Sequence, residues 1–363
     1  MDIKFFQFLL KRKRLRFGKR KTAGFTILEL LVSIVISTFI VIALTGMVVD
    51  LLQTDRREYA RAETQREMQM ALDYMVNDLR EAAYVYDNNQ LNASRGSNRN
   101  VPSLKNYLPQ FPAGMEPILV FWKPEELPLP LPDRRDQPVL NCGQSPTVDC
   151  SQLQVRRRTF TLVAYLQTVN QPADRLKWKG ISRIMRYQLR MYPETTFDNS
   201  PPNLATMSPG YVEPLVNNVS FETWPVALDA NGNPGGAPAR PADDANNRPV
   251  LVDFLDYPTG APGTRRVDNL IAPADTRLQC TNPTQPPIPP QGNSSGFDNP
   301  SFVACVSSAT ATGVAGGSPS PTNQNIILFL RGNPTGKAGV KVAPLIAVKT
   351  QAVARGVIDK KPN

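Results

Sequence analysis

Glu29 is the residue of this chain whose type and position most demand a chemical explanation. It is the one formal charge between Phe25 and Val49, a run otherwise apolar or uncharged. A carboxylate in such a run costs about 2.5–3.5 kcal/mol on membrane-insertion scales, less near the interface, and marks a functional candidate by default. The four cysteines, Cys142, Cys150, Cys280 and Cys305, form no CxxC pair, and the chain has no histidine, so their spacing argues against zinc. In an oxidising compartment they can pair in three ways. Local pairing, Cys142 with Cys150 and Cys280 with Cys305, is favoured because it closes loops inside two Pro-rich regions that otherwise lack cohesion. Two near-matches to catalytic motifs fall away. Gly292-Asn293-Ser294-Ser295-Gly296 fits G-x-S-x-G, but it sits in a Pro-rich loop with no His to activate Ser294. The segment Arg331–Ala338 has the wrong spacing for a phosphate loop and no Ser or Thr after Lys337, so it reads as a turn. Without His there is no triad and no imidazole proton shuttle. The chain reads as a non-enzyme that needs no cofactor and no metal.

The elements that must position Glu29 begin with charge. The net charge is +10, yet residues 1–24 hold nine basic residues and a single acid, Asp2, so the body is nearly neutral. That distribution argues for membrane topology and against a nucleic-acid partner. The run from Phe25 to Val49 spans roughly 37 Å as a helix, enough to cross the hydrocarbon core with some tilt. Mixed charges follow it at Asp50, Asp55, Arg56, Arg57 and Glu58. The asymmetry places the N-terminus in the cytoplasm and everything after about Leu52 outside it. A cleaved secretory signal would need a shorter apolar core and a small-residue cleavage site, neither evident at Leu51-Leu52-Gln53-Thr54. A plain anchor fits the length but gives no reason for Glu29.

Ala23-Gly24-Phe25-Thr26-Ile27-Leu28-Glu29, behind the basic stretch, resembles the signal of type IV prepilins and type II secretion pseudopilins. The resemblance implies a leader, residues 1–24, cut after Gly24 by a membrane peptidase, with Phe25 as the new, N-methylated terminus. It assigns Glu29 to assembly. Physical chemistry gives that role a rationale. An α-amine freed on Phe25 has an ordinary pKa of about 7.7–8.0, and when subunits stack in apolar surroundings it needs an anionic partner. Glu29 lies one turn on, where the helix macrodipole also favours a carboxylate.

The helical pattern continues past the membrane edge. Met68, Leu72, Met75, Leu79, Ala82 and Tyr86 form one apolar stripe, and no Pro occurs between Phe25 and Tyr86. This predicts one helix with a transmembrane and assembly half over 25–52 and an amphipathic half over 53–86. A β-rich exported domain over 87–363 follows. Ile118–Trp122, Thr159–Gln167 and Met185–Met191 read as strands, with Val212–Thr223 and Ile326–Leu330 as weaker candidates. With 35 prolines, the rest reads as irregular loops at 123–150 and 225–325. The expected fold class is α+β and pilin-like, the helix packed on an antiparallel sheet.

These features predict a minor pilin or pseudopilin in a type IV pilus-like or type II secretion-like filament, serving surface motility or secretion. Its implied partners are the prepilin peptidase, other pilins or pseudopilins, an inner-membrane assembly platform, and membrane lipid before assembly. Residues 78–87 and 327–332 further resemble cyanobacterial pseudopilins associated with hormogonium polysaccharide secretion. Two other readings stay open. One is a membrane-tethered periplasmic binding protein that never enters a filament; the other is an exported enzyme.

Overall fold

The computed structural model describes residues 24–95, 100–127, 158–193, 207–236, 238–243, 248–257, 280, 287–288, 301–307, 323–341 and 343–354. Residues 1–23, Cys142 and Cys150 lie outside that set. The chain divides into two units, residues 1–55 and 56–363. One helix, α1 (Ile27–Arg80), contributes to both.

In the first unit α1 is exposed on every side, its apolar residues included. Its composition and length suffice to cross a membrane. Three hydroxyls in this stretch pair with the helix backbone. Ser33, Thr38 and Thr45 donate to the carbonyls of Glu29, Ile34 and Val41 at 2.7, 2.8 and 2.7 Å, one turn back. Such bonding is what lets hydroxyls sit in hydrocarbon.

In the second unit the buried stripe of α1 is Ala60, Thr64, Met68, Ala71, Leu72, Met75 and Leu79, the period expected of a helix lying on a sheet. The sheet comprises β1 (Tyr84–Val85), β2 (Met115–Glu126), β3 (Arg158–Val169), β4 (Ser182–Leu189), β5 (Val250–Leu255), β6 (Phe302–Val306), β7 (Gln324–Gly332) and β8 (Ile346–Ala354). All pairs are antiparallel, in the order β1-β2-β3-β4-β5-β7-β6, with β8 on β7. The expected α+β, pilin-like architecture of a long helix on an antiparallel sheet is what the chain adopts. The helix comes closest at Gly332, where a Cβ would lie 2.3 Å from Met68 Sδ and 3.0 Å from Thr64 Cγ2. Only glycine lets α1 settle onto β7 there.

The other face of β2–β4 is covered by loops. Trp122 of β2 packs against Tyr211, Phe221 and Trp224, Phe160 of β3 against Phe221, and Tyr187 of β4 against Phe111. The polar tips of two of these rings find backbone partners. Trp224 Nε1 donates to Val212 O at 2.7 Å, and Tyr211 Oη to Phe160 O at 2.7 Å. Bulky rings with satisfied tips can thus build a layer without regular secondary structure.

Several expectations need correction. The helix stops at Arg80 and does not reach Tyr86, because Ala83 N and Tyr86 N donate to Trp122 O and Val120 O of β2 at 2.7 and 2.9 Å. Ala82 and Tyr86 are buried, but as sheet neighbours rather than helix stripe. Beyond the helix, Asp87 starts α2 (Asn88–Asn92) through a capping box with Gln90. The segment 212–223 forms turns rather than a strand, and the loop region 225–325 contains β5 and β6. Likewise β2 runs into the expected 123–150 loop as far as Glu126.

Candidate assembly segment and its docking cluster

Gly24, Phe25 and Thr26 precede the first turn of α1. Phe25 is 79% exposed, and among the described residues beyond its chain neighbours none comes within 4 Å of the position a Gly24 Cβ would take. Thr26 caps the helix: its Oγ1 accepts from Glu29 N at 3.2 Å. The pattern T-x-x-E in Thr26–Glu29 announces such a cap, a signal the sequence reading passed over. The cap uses the backbone of Glu29. Among the described residues its carboxylate has neither a hydrogen bond nor an ion pair.

Of the cysteines, Cys280 and Cys305 form a disulfide with Cα atoms 5.6 Å apart. Cys305 sits in β6 beside Val303 and Phe329, on a small apolar cluster that Cys280 covers. The expected Cys142–Cys150 pairing falls outside the described residues. Among the described residues no group of three or more His, Cys, Asp or Glu could hold a metal ion.

Near its C-terminal end α1 carries a buried acid, Asp78, which sequence reasoning did not single out. Its Oδ2 accepts from Arg186 Nε of β4 at 2.8 Å and from Tyr165 Oη of β3 at 2.7 Å. Its Oδ1 meets Lys123 Nζ of β2 at 2.9 Å. Register explains the convergence. Tyr165 pairs with Arg186, and both share a sheet face with Lys123, so three adjacent strands aim one polar group each at the helix. Burial alone would raise the Asp78 pKa, but Arg186, Lys123 and Tyr165 outweigh it and hold the carboxyl below its ordinary value. The same contact, with burial the larger cause, pushes the Tyr165 phenol well above its usual range. A second acid, Glu125, takes Arg190 Nε and Nη2 at 3.0 Å each and Thr161 Oγ1 at 2.7 Å. Nearer the start of the unit, Lys337 from the β7–β8 loop pairs with Glu67 at 2.8 Å and Glu63 at 3.6 Å. The helix is therefore pinned by charge at both ends of its apolar stripe.

An exposed apolar helix, with an acid in its first turn that is unpaired among the described residues, sits beside a sequence match. Residues 19–45 match the family described as the prokaryotic N-terminal methylation motif. This stretch is a type IV prepilin-like signal. No curated protein matches the chain, and no solved structure does. The prepilin-like signal covers Gly24, Phe25, Glu29 and the beginning of α1, and it fits a single-pass inner-membrane anchor and a structural protein rather than an enzyme.

Proposed function

We propose that this prepilin-like chain is cut after Gly24, N-methylated on Phe25, and built as a minor pilin or pseudopilin into a type IV pilus-like or type II secretion-like filament. Such a filament serves surface motility or the export of polysaccharide or protein. The observation that carries the reading is the stretch of α1 up to Val49: apolar, exposed all round, and holding one acid, Glu29, that has no partner among the described residues. A lone lipid anchor gains nothing from Glu29. A stack of subunits gains a counter-charge for each Phe25 amine. The prepilin peptidase, an inner-membrane assembly platform and other pilins or pseudopilins are the partners, with lipid around the helix before assembly. The N-terminus then faces the cytoplasm and the second unit the periplasm, where the cysteines oxidise. Shearing of cells tests the reading. The protein co-purifies with sheared filaments if it is a subunit, and stays wholly with membranes if it is a tethered binding protein.

A further inference from the structure

Between α1 and β5 the second unit has an open cleft of about 570 Å³ that the filament reading does not use. Met70 and Tyr74 come from the helix, Trp178 and Lys177 from the β3–β4 loop, and Leu251 and Asp253 from β5. The size suits a small ligand or part of a longer one. Tyr74 is 47% exposed and Met70 53%, unusual for large side chains beside a packed helix. Trp178 is half-buried, whereas the chain's other two tryptophans, Trp122 and Trp224, are fully buried.

The acids around the cleft are already answered within the chain. Glu67 pairs with Lys337 at 2.8 Å. The Asp253 oxygens accept from Asn170 Nδ2 at 2.9 Å and Gly180 N at 3.0 Å. Each ring also carries a cation on one face, Arg186 over Tyr74 at 5.7 Å and Lys177 over Trp178 at 5.2 Å. A ring polarised by one cation is a poor seat for a second, so quaternary ammonium ligands are disfavoured. What remains is two aromatic surfaces, a thioether and carboxylates with spare lone pairs. That set fits a neutral ligand with C–H faces to lie on rings and hydroxyls to donate outward.

We infer that the cleft lined by Tyr74, Trp178 and Met70 binds a neutral carbohydrate chain. The site gives the proposed export subunit a ligand, and it rests on that reading for its purpose, not for its chemistry. The test uses the purified full chain in a non-glycosidic detergent. The probes are neutral hexamers of glucose, of mannose and of N-acetylglucosamine, and the readout is tryptophan emission. Trp178 should respond saturably to at least one of them. Tyr74→Ala should weaken that response by about tenfold or more, with Tyr74→Phe close to wild type, since the ring and not the hydroxyl makes the seat. Calorimetry on Trp178→Phe, which keeps a smaller ring, should show weakened binding without relying on the reporter. No response to any hexamer would overturn the inference. So would a response to tetramethylammonium or to a proline-rich peptide in their place. Incorporation into sheared filaments is scored separately. A chain that binds sugar but never enters filaments contradicts the filament role and leaves the cleft assignment standing. Loss of incorporation in Tyr74→Ala without sugar binding in the wild type assigns the cleft to a subunit contact instead.

Discussion

Arg186 of β4 and Asp78 of α1 meet at 2.8 Å on a helix–sheet interface where both side chains are less than 10% exposed. Lys123 and Tyr165 complete the ring around the same carboxylate. With Glu81 3.3 Å from Lys123, two carboxylates face two cations, and the balance holds only while Asp78 is ionised. Removing the acid is therefore worse than removing a surface charge. Asp78→Ala leaves the buried Arg186 without its carboxylate and Lys123 with only the more exposed Glu81, and should destabilise the second unit by about 3–5 kcal/mol. Urea unfolding of the full chain in detergent, followed by emission from the buried Trp122 and Trp224, measures it.

The same cluster sets a pH dependence. The folded pKa of Asp78 lies below its ordinary 3.8. A depressed carboxylate contributes stability that is complete above the unfolded-state value and lost as pH falls through the folded one. Glu125, also held low against burial by Arg190 and Thr161, acts in the same direction. Stability should thus be flat with respect to these groups at neutral pH and fall below about pH 4. Asp78→Asn should flatten part of that acid limb. An unchanged limb in this variant would mean other carboxylates set it.

Gly332 supplies a third outcome. A methyl group there meets Met68 and Thr64, whose side chains are themselves buried. Gly332→Ala should cost about 1–3 kcal/mol by overpacking. Combining it with Met68→Ala should recover part of the loss, so that the double mutant is better than the sum of the singles. Strict additivity in that cycle would show that the helix does not rest on β7 at this point.

The Cys280–Cys305 disulfide closes a loop with a sequence separation of 25. The chain-entropy account gives about 3.5 kcal/mol for such a loop. Non-reducing peptide mapping should recover these two cysteines linked, together with a Cys142–Cys150 pair. Reduction should loosen β6 before the α1–β2–β3–β4 core. Four free thiols in freshly isolated protein would speak against an oxidising location.

Glu29→Gln or Glu29→Val should leave membrane insertion intact or improved, since one charge leaves the apolar run. Filament incorporation should fall, because a neighbour's Phe25 amine loses its counter-charge in a low-dielectric setting. Leader removal should be largely unaffected. Normal recovery of Glu29→Val in sheared filaments would show that the charge pair does not dock the subunit.

The parts of this molecule legible in its sequence are those governed by one-dimensional pattern. The change from basic to apolar at Gly24 announced the anchor, and the spacing from Met68 to Leu79 announced the helical stripe. Alternation from Met185 to Met191 announced β4, which ends at Leu189. What pattern missed depends on contacts distant in sequence. Tyr86 keeps the helical spacing, but its backbone is captured by Val120, so the stripe outlives the helix. β5 and β6 are short apolar runs in Pro- and Asn-rich surroundings, and only pairing with β4 and β7 makes them strands. Asp78 looked like any polar residue of an amphipathic helix. Its importance comes from Lys123, Tyr165 and Arg186, which only sheet register brings together.

The central claim is that the chain is a precursor whose mature form begins at Phe25. Mass spectrometry of the N-terminal peptide of protein isolated from cells that contain the peptidase tests it most directly. The account predicts a peptide starting at Phe25 and carrying one methyl group on its amine, with Gly24 replaced by a bulky residue leaving the leader attached. A wild-type protein that retains Met1 and residues 2–24 in such cells would contradict it.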